Sequence, residues 1–412
     1  LSITSNRSNQ IASTAERKAI MKKSFQRPIS ATERIWLSCD EAFGPYANQA
    51  VVEGKGTIDF EHLKAAVVTA SEANPGSRLI LKGALRGCYW LDSGISPRVR
   101  KISAEQWDGY GPDNAPFLCD PLPYTGPTCE VIYLEGAIPR IIFRSNHGVM
   151  DGIGTVTWME DIFRVLRGEN PIGTSSTLTE YQLVTSISDK TMKMHPIENI
   201  APTGKSGKNI RGTTWKRLTF FGKYTNLLGR IGMALARSAW KYGEGPVRIG
   251  IPVDVRPRIP GLRSTGNLSM AIYLEISKNS TAESITYEIL RQLYNKYDCI
   301  CIEGGDYFDL IPIWLVALAL KLIIKIPLRT GRYNVSGVIS NLGRFDLDKF
   351  YCDGFSADTI FLIPPRMDGL PAFVVLAGSR DRLEITASLP NVLAGNGRFD
   401  QLLDDIRKAL QK

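Results

Sequence analysis

Segments with helical spacing and segments with strand spacing follow one another in this chain without regular alternation, and that irregularity limits the fold more than any other feature. A doubly wound parallel sheet needs a repeated strand–helix–strand rhythm, which is missing. Two hairpin-like pairs, Glu130–Leu134 with Ile141–Ser145 and Phe373–Leu376 with Leu383–Ser388, stand instead among helices and isolated strands. The pattern predicts an α+β fold. With 412 residues the chain exceeds one ordinary core and suits two bodies of roughly 200 residues each. From Gly168 to about Lys208 periodicity is lost and Ser, Thr, Asn, Gly and Pro accumulate, the mark of a boundary. We therefore read a flexible leader over 1–26, an N-terminal lobe over 27–170, a linker or crossover loop over 171–208 and a C-terminal lobe over 209–412.

Local signals place the elements. Ser30 or Thr32 can cap a helix with Glu33 in its first turn. A strand over Asn48–Glu53 leads to a helix opened by Asp59, whose Phe60, Leu63, Ala66, Val67 and Ala70 share one face. That helix stops before Asn74-Pro75-Gly76, because the residue preceding Pro is steered away from helical angles. The apolar run Leu310–Leu328 is interrupted by Lys321, Lys325 and Pro327. A spanning helix wants about 20 apolar residues without central charges. The run reads as a buried helix packed on a sheet, with a membrane-surface helix and the wall of an apolar tunnel as alternatives.

Few groups are available for chemistry. Only three His occur, and His62 falls in a structural helix while His195 falls in the polar linker. Seven Cys are scattered without a C-x-x-C pair, which argues against a disulfide framework or a Cys-based zinc site. Such usage fits a reducing, cytoplasmic setting, and no metal site is expected. The 50 Lys plus Arg exceed the 41 Asp plus Glu, so anionic partners are favoured. No accompanying motif points to nucleic acid.

The remaining histidine stands in a telling place. Strand Ile141–Ser145 runs straight into Asn146-His147-Gly148-Val149-Met150-Asp151-Gly152, after which Val156, Met159, Ile162, Phe163 and Leu166 show helical spacing. A His followed four residues later by Asp-Gly should arise by chance in about one such chain in a hundred. The strand exit holds a side chain rigidly against a cleft, and an imidazole there can take a proton near neutral pH. Asp151 suits a loop brace paired with an Arg. Gly152 opens a close approach, and the amides at the head of the next helix favour an anion.

With these residues the chain resembles the superfamily of acyltransferases that carry an H-x-x-x-D-G motif. Its members include condensation domains of non-ribosomal peptide synthetases, polyketide-associated acyltransferases, wax-ester synthases and alcohol acetyltransferases. The resemblance spans about residues 27–412. It runs through R-P-I-S-A-T-E-R-I-W-L at 27–37, G-x-I-D-F-x-x-L-x-x-A at 56–66, His147–Gly152, P-V-D-V-R at 252–256, G-N at 266–267 and S-N-L-G at 340–343.

The resemblance implies two chloramphenicol-acetyltransferase-like lobes in a V-shaped pseudo-dimer with a central tunnel. His147 would be the general base, a backbone N–H near Gly152 would serve the oxyanion, and no acyl-enzyme would form. Asp151, Arg256 and Asn146 would be structural at the active site, with Asp151 and Arg256 as an ion pair. Asn267, Ser340 and Asn341 would bind substrate. The donor would be an acyl-coenzyme A or a phosphopantetheinyl thioester, with no permanently bound cofactor. Expected partners are an acyl or peptidyl carrier protein, a small-molecule acceptor and a peripheral membrane contact, for a monomeric enzyme. Condensation domains usually carry two adjacent His, and Asn146 in place of the first shifts weight toward O-acyl transfer. A free-standing amide-forming condensation domain and a non-catalytic carrier-docking module remain the alternatives.

Overall fold

The computed structural model describes residues 24–205, 211–304 and 310–411. The first half runs β1 (Gln26–Pro28), α1 (Ala31–Phe43), β2 (Ala47–Gly56), α2 (Phe60–Ala73), β3 (Leu79–Lys82), β4 (Tyr89–Asp92) and β5 (Arg98–Ser103). It continues through β6 (Cys129–Glu135), β7 (Arg140–Asn146), α3 (Gly152–Leu166) and α4 (Glu180–Thr185). Two short strands, β8 (Thr191–Met192) and β9 (Asn199–Ile200), precede β10 (Thr213–Phe221), α5 (Leu227–Tyr242), β11 (Val247–Asp254), β12 (Ser269–Ile276) and α6 (Ala282–Tyr294). Then come β13 (Cys301–Ile302), α7 (Ile313–Ile323), α8 (Lys325–Thr330), β14 (Arg332–Tyr333) and β15 (Gly337–Phe345). The chain closes with β16 (Tyr351–Cys352), β17 (Phe355–Ile363), β18 (Phe373–Ser379), β19 (Arg382–Pro390), α9 (Asn391–Ala394) and α10 (Arg398–Gln411).

Two six-stranded sheets organise these elements, ordered β16-β17-β2-β7-β6-β5 and β10-β19-β18-β15-β11-β12. The first is antiparallel apart from β5 beside β6, and the second contains parallel pairs β11–β15 and β15–β18. The mixture is that of an α+β fold. Strand β7 shows how the first sheet is covered on both faces. Ile141 and Phe143 join the core under α2 and α3, whereas Ile142 joins a second cluster with Trp107, Phe117 and Trp215. That is the two-residue period of a pleated strand. The second sheet packs against α5, α6 and α10 through Ile231, Leu235, Ile285, Leu402 and Ile406.

Three expectations need amendment. The leader drawn over 1–26 lies outside the described residues as far as residue 23, and Gln26 already pairs with Leu91 in β1–β4. The lobe boundary at 209 does not follow the sheets, because β16 and β17 pair into the first one, β17 against β2. The reason is that β17 is apolar on both sides: Ile360 and Leu362 enter one core, Phe361 and Ile363 the other, so it must sit where both faces are covered. Lastly, the apolar run near 310–328 is not buried on a sheet. Helix α7 lies along α1, with Ile311 O accepting from Arg34 Nη2 at 2.9 Å and Ile313 O from Ser38 Oγ at 3.3 Å. Ala317 is buried at that contact, while Trp314, Leu315, Leu318 and Leu322 stay exposed. No helix among the described residues is long and apolar enough to cross a membrane.

Candidate active site

His147 follows the last residue of β7, and its amide donates to Tyr46 O at 2.9 Å, which carries the sheet one step into the loop. Its ring stacks on Tyr46, centroids 5.2 Å apart, and leans on Trp36 at 5.3 Å. Asn146 and Gly148 on either side are buried, whereas His147 as a residue is partly exposed. Burial of the ring lowers its pKa below 6.5, with its own backbone, Asp151 and Asn267 pulling the other way. The imidazole is therefore neutral at neutral pH and ready to accept a proton. Nδ1 is buried without a hydrogen-bond partner among the described residues.

Four residues on, Asp151 caps α3 by accepting from Gly154 N at 2.6 Å. Its carboxylate also takes both arms of Arg256, Nη2 to Oδ1 at 3.0 Å and Nη1 to Oδ2 at 3.1 Å, a bidentate pair. Leu268 N at 2.8 Å and Ser269 Oγ at 3.0 Å complete its shell. Burial alone would push this carboxyl up, but the Arg256 guanidinium and the backbone donors hold it below the ordinary carboxylate range. Arg256 is tied in turn to Asp254, Ser264 O and Gly266 O. The pair thus staples the head of α3, from the first half, to the loop between β11 and β12, from the second. Asp151 has no acceptor capacity left for a ligand.

Asn146 braces the same loop. Its amide nitrogen donates to Leu122 O at 2.7 Å and Asp40 Oδ2 at 3.2 Å, and its carbonyl accepts from Gly148 N at 2.9 Å. Asn267, expected at the substrate, donates to His147 O at 2.9 Å and to Glu33 Oε1 at 3.3 Å, so its amide holds the histidine loop. Its Oδ1 remains buried and unpaired among the described residues.

The structure therefore gathers His147, Asn146, Asp151, Arg256 and Asn267. Gly152 lies beside Leu342, whose Cδ2 is 3.3 Å from where a Cβ would stand, which brings the 340–343 segment alongside. No hydrogen bond joins Ser340 or Asn341 to the cluster among the described residues, and Asn341 Oδ1 serves Gly343 N at 3.1 Å. Gly154 is also tight, since a Cβ there would meet Thr265 O at 2.3 Å. That is why the α3 head and the 264–267 loop can touch.

Sequence reasoning missed two contributions. Glu33 is a hub, accepting from Arg27 Nη1, Ser30 N and Trp90 Nε1 as well as from Asn267. The sequence placed it only in the first turn of a helix capped by Ser30 or Thr32, and the structure shows that it also closes a capping box with Ser30. The aromatic seat of Trp36 and Tyr46 carries no local signal at all.

No protein-family model matches the sequence, and neither does any curated protein. Solved structures do match. A mutant form of the starter condensation domain of rhizomide synthetase, in complex with C8-CoA, is 14% identical with a TM-score of 0.66, covering 94% of this chain and 95% of its own. The first condensation domain of the calcium-dependent antibiotic synthetase, in complex with a substrate analogue, is 13% identical, TM-score 0.65, covering 94% and 96%. Polyketide synthase associated protein 5 from Mycobacterium tuberculosis is 15% identical, TM-score 0.62, covering 94% and 97%. Over nearly its whole length, then, this chain has the mixed α+β fold of the condensation domains.

Proposed function

We propose that the protein is an acyltransferase that moves an acyl group from a thioester to an alcohol or amine, in natural-product or lipid biosynthesis. The observation that carries the reading is a neutral imidazole at a strand exit, on a partly exposed residue held in place from both halves of the chain. His147 takes the proton of the acceptor O–H or N–H as the acceptor attacks the thioester carbonyl. The tetrahedral oxyanion collapses, the C–S bond breaks, and His147 returns the proton to the departing sulfur. The amide of Gly154 is occupied by Asp151, so those of Gly152 and Ile153 serve the oxyanion. Asp151 and Arg256 fix the loop and touch neither substrate.

The donor is an acyl-coenzyme A or a carrier-protein phosphopantetheinyl thioester, reaching His147 between the two lobes. A structural neighbour that holds C8-CoA supports a coenzyme A donor. Because two neighbours are condensation domains, amide formation is the second reading. The test is product formation from a panel of acyl thioesters offered with hydroxyl and amino acceptors. His147→Ala should lower turnover by about 10²–10⁴-fold with an unchanged circular-dichroism spectrum. For the wild type, kcat/KM should rise with pH along a limb whose midpoint lies under 6.5. Full activity in the alanine variant removes the proposal and leaves a docking module.

A further inference from the structure

We infer that the exposed face of α7 and α8 is a peripheral docking surface for an anionic lipid bilayer. Trp314, Leu315, Leu318, Leu322, Ile323 and Ile326 are each between 41% and 59% exposed. So many large apolar side chains on about four turns of helix make a contiguous patch, which a monomeric soluble protein rarely leaves uncovered. Trp314, Leu318, Leu322 and Ile326 follow at four-residue intervals and so line one row of the helix. Lys321, Lys325 and Arg329 form the adjoining row, all exposed and without an ion pair among the described residues. Leu85, 43% exposed, extends the patch, because Arg34 clamps Leu85 O at 3.0 Å and Ile311 O at 2.9 Å together.

The choice of occupant follows from charge and residue type. Protein interfaces are depleted in Lys at their centres, whereas here two Lys share the face with aliphatic side chains. A helix lying in a bilayer surface wants this arrangement: aliphatic and Trp side chains sunk to the acyl boundary, Lys stems snorkelling to anionic headgroups. The stretch is too short to span, so it would lie on the membrane. The inference does not depend on the acyl-transfer reading, since His147 plays no part in it.

Flotation of the full chain with vesicles tests the assignment. Wild type should float with vesicles containing phosphatidylserine or phosphatidylglycerol far better than with pure phosphatidylcholine, and raised salt should weaken the binding. L318E/L322E, at exposed positions, should abolish flotation while the circular-dichroism spectrum stays native. K321Q/K325Q should weaken it about thirtyfold, near 1 kcal/mol per cation removed. Failure of the wild type to float, or flotation untouched by L318E/L322E, overturns the inference. So does a wild-type dimer, or a complex with a carrier protein, that L318E/L322E dissolves in the absence of any vesicle binding. H147A should float like wild type, so loss of activity and loss of lipid binding are separable.

Discussion

At Glu180, burial and the neighbouring Glu33 push a carboxyl pKa from 4.5 up to about 7, and one of its oxygens has no partner among the described residues. The fold accepts this group protonated. Its contribution to stability is therefore complete below 4.5, the value in the unfolded chain, and is lost as pH rises through about 7. The loss is on the order of 3 kcal/mol. Urea midpoints measured across that window should fall with pH in the wild type and flatten in Glu180→Gln; an unchanged slope would assign the proton elsewhere. His147 and Asp151 were legible in the sequence because strand, loop and helix signals converge on seven consecutive residues. The roles of Glu33, Glu180 and Asn267 were not, since each depends on a partner brought from far along the chain: Asn267 meets Glu33 across 234 positions.

At the scale of elements, the head of α3 combines two functions of one carboxylate. Asn caps a helix about as well as Asp but cannot pair with Arg256. Asp151→Asn should cost about 3 kcal/mol, because the buried Arg256 loses its bidentate carboxylate and keeps only Asp254 as a counter-charge. Asp151→Ala should cost about 1 kcal/mol more through loss of the cap. Denaturant unfolding of the two variants resolves that difference, and equal midpoints would refute the capping role. The helix was readable beforehand, as were α2 behind Asp59 and the β6–β7 hairpin. Helix α7 was not. An apolar run says that side chains avoid water in isolation, but not whether the fold supplies something to cover them, and here α1 covers one side only.

For the whole molecule, Arg217 ties the halves together. From β10 it reaches Glu53 of β2 at 2.8 Å and Glu384 of β19 at 2.8 Å, with its guanidinium over Phe361. Burial alone would lower its pKa, but the two carboxylates hold it charged. Arg217→Met should destabilise the protein by about 3 kcal/mol, because two buried carboxylates lose a shared partner; a urea midpoint equal to wild type would count against that bridge. Two mixed bodies could be inferred from aperiodic spacing and chain length. Which sheet a strand joins could not, because pairing partners are chosen by both-sided burial and not by sequence proximity, as β17 shows.

That late strand sets a schedule for biosynthesis. Until residue 363 has cleared the ribosome, β2 waits with Val51 and Val52 on an open edge, free to pair with a neighbouring nascent chain. Products truncated anywhere in the second half before that point should therefore need chaperone protection, even when every residue of the histidine loop has already been made.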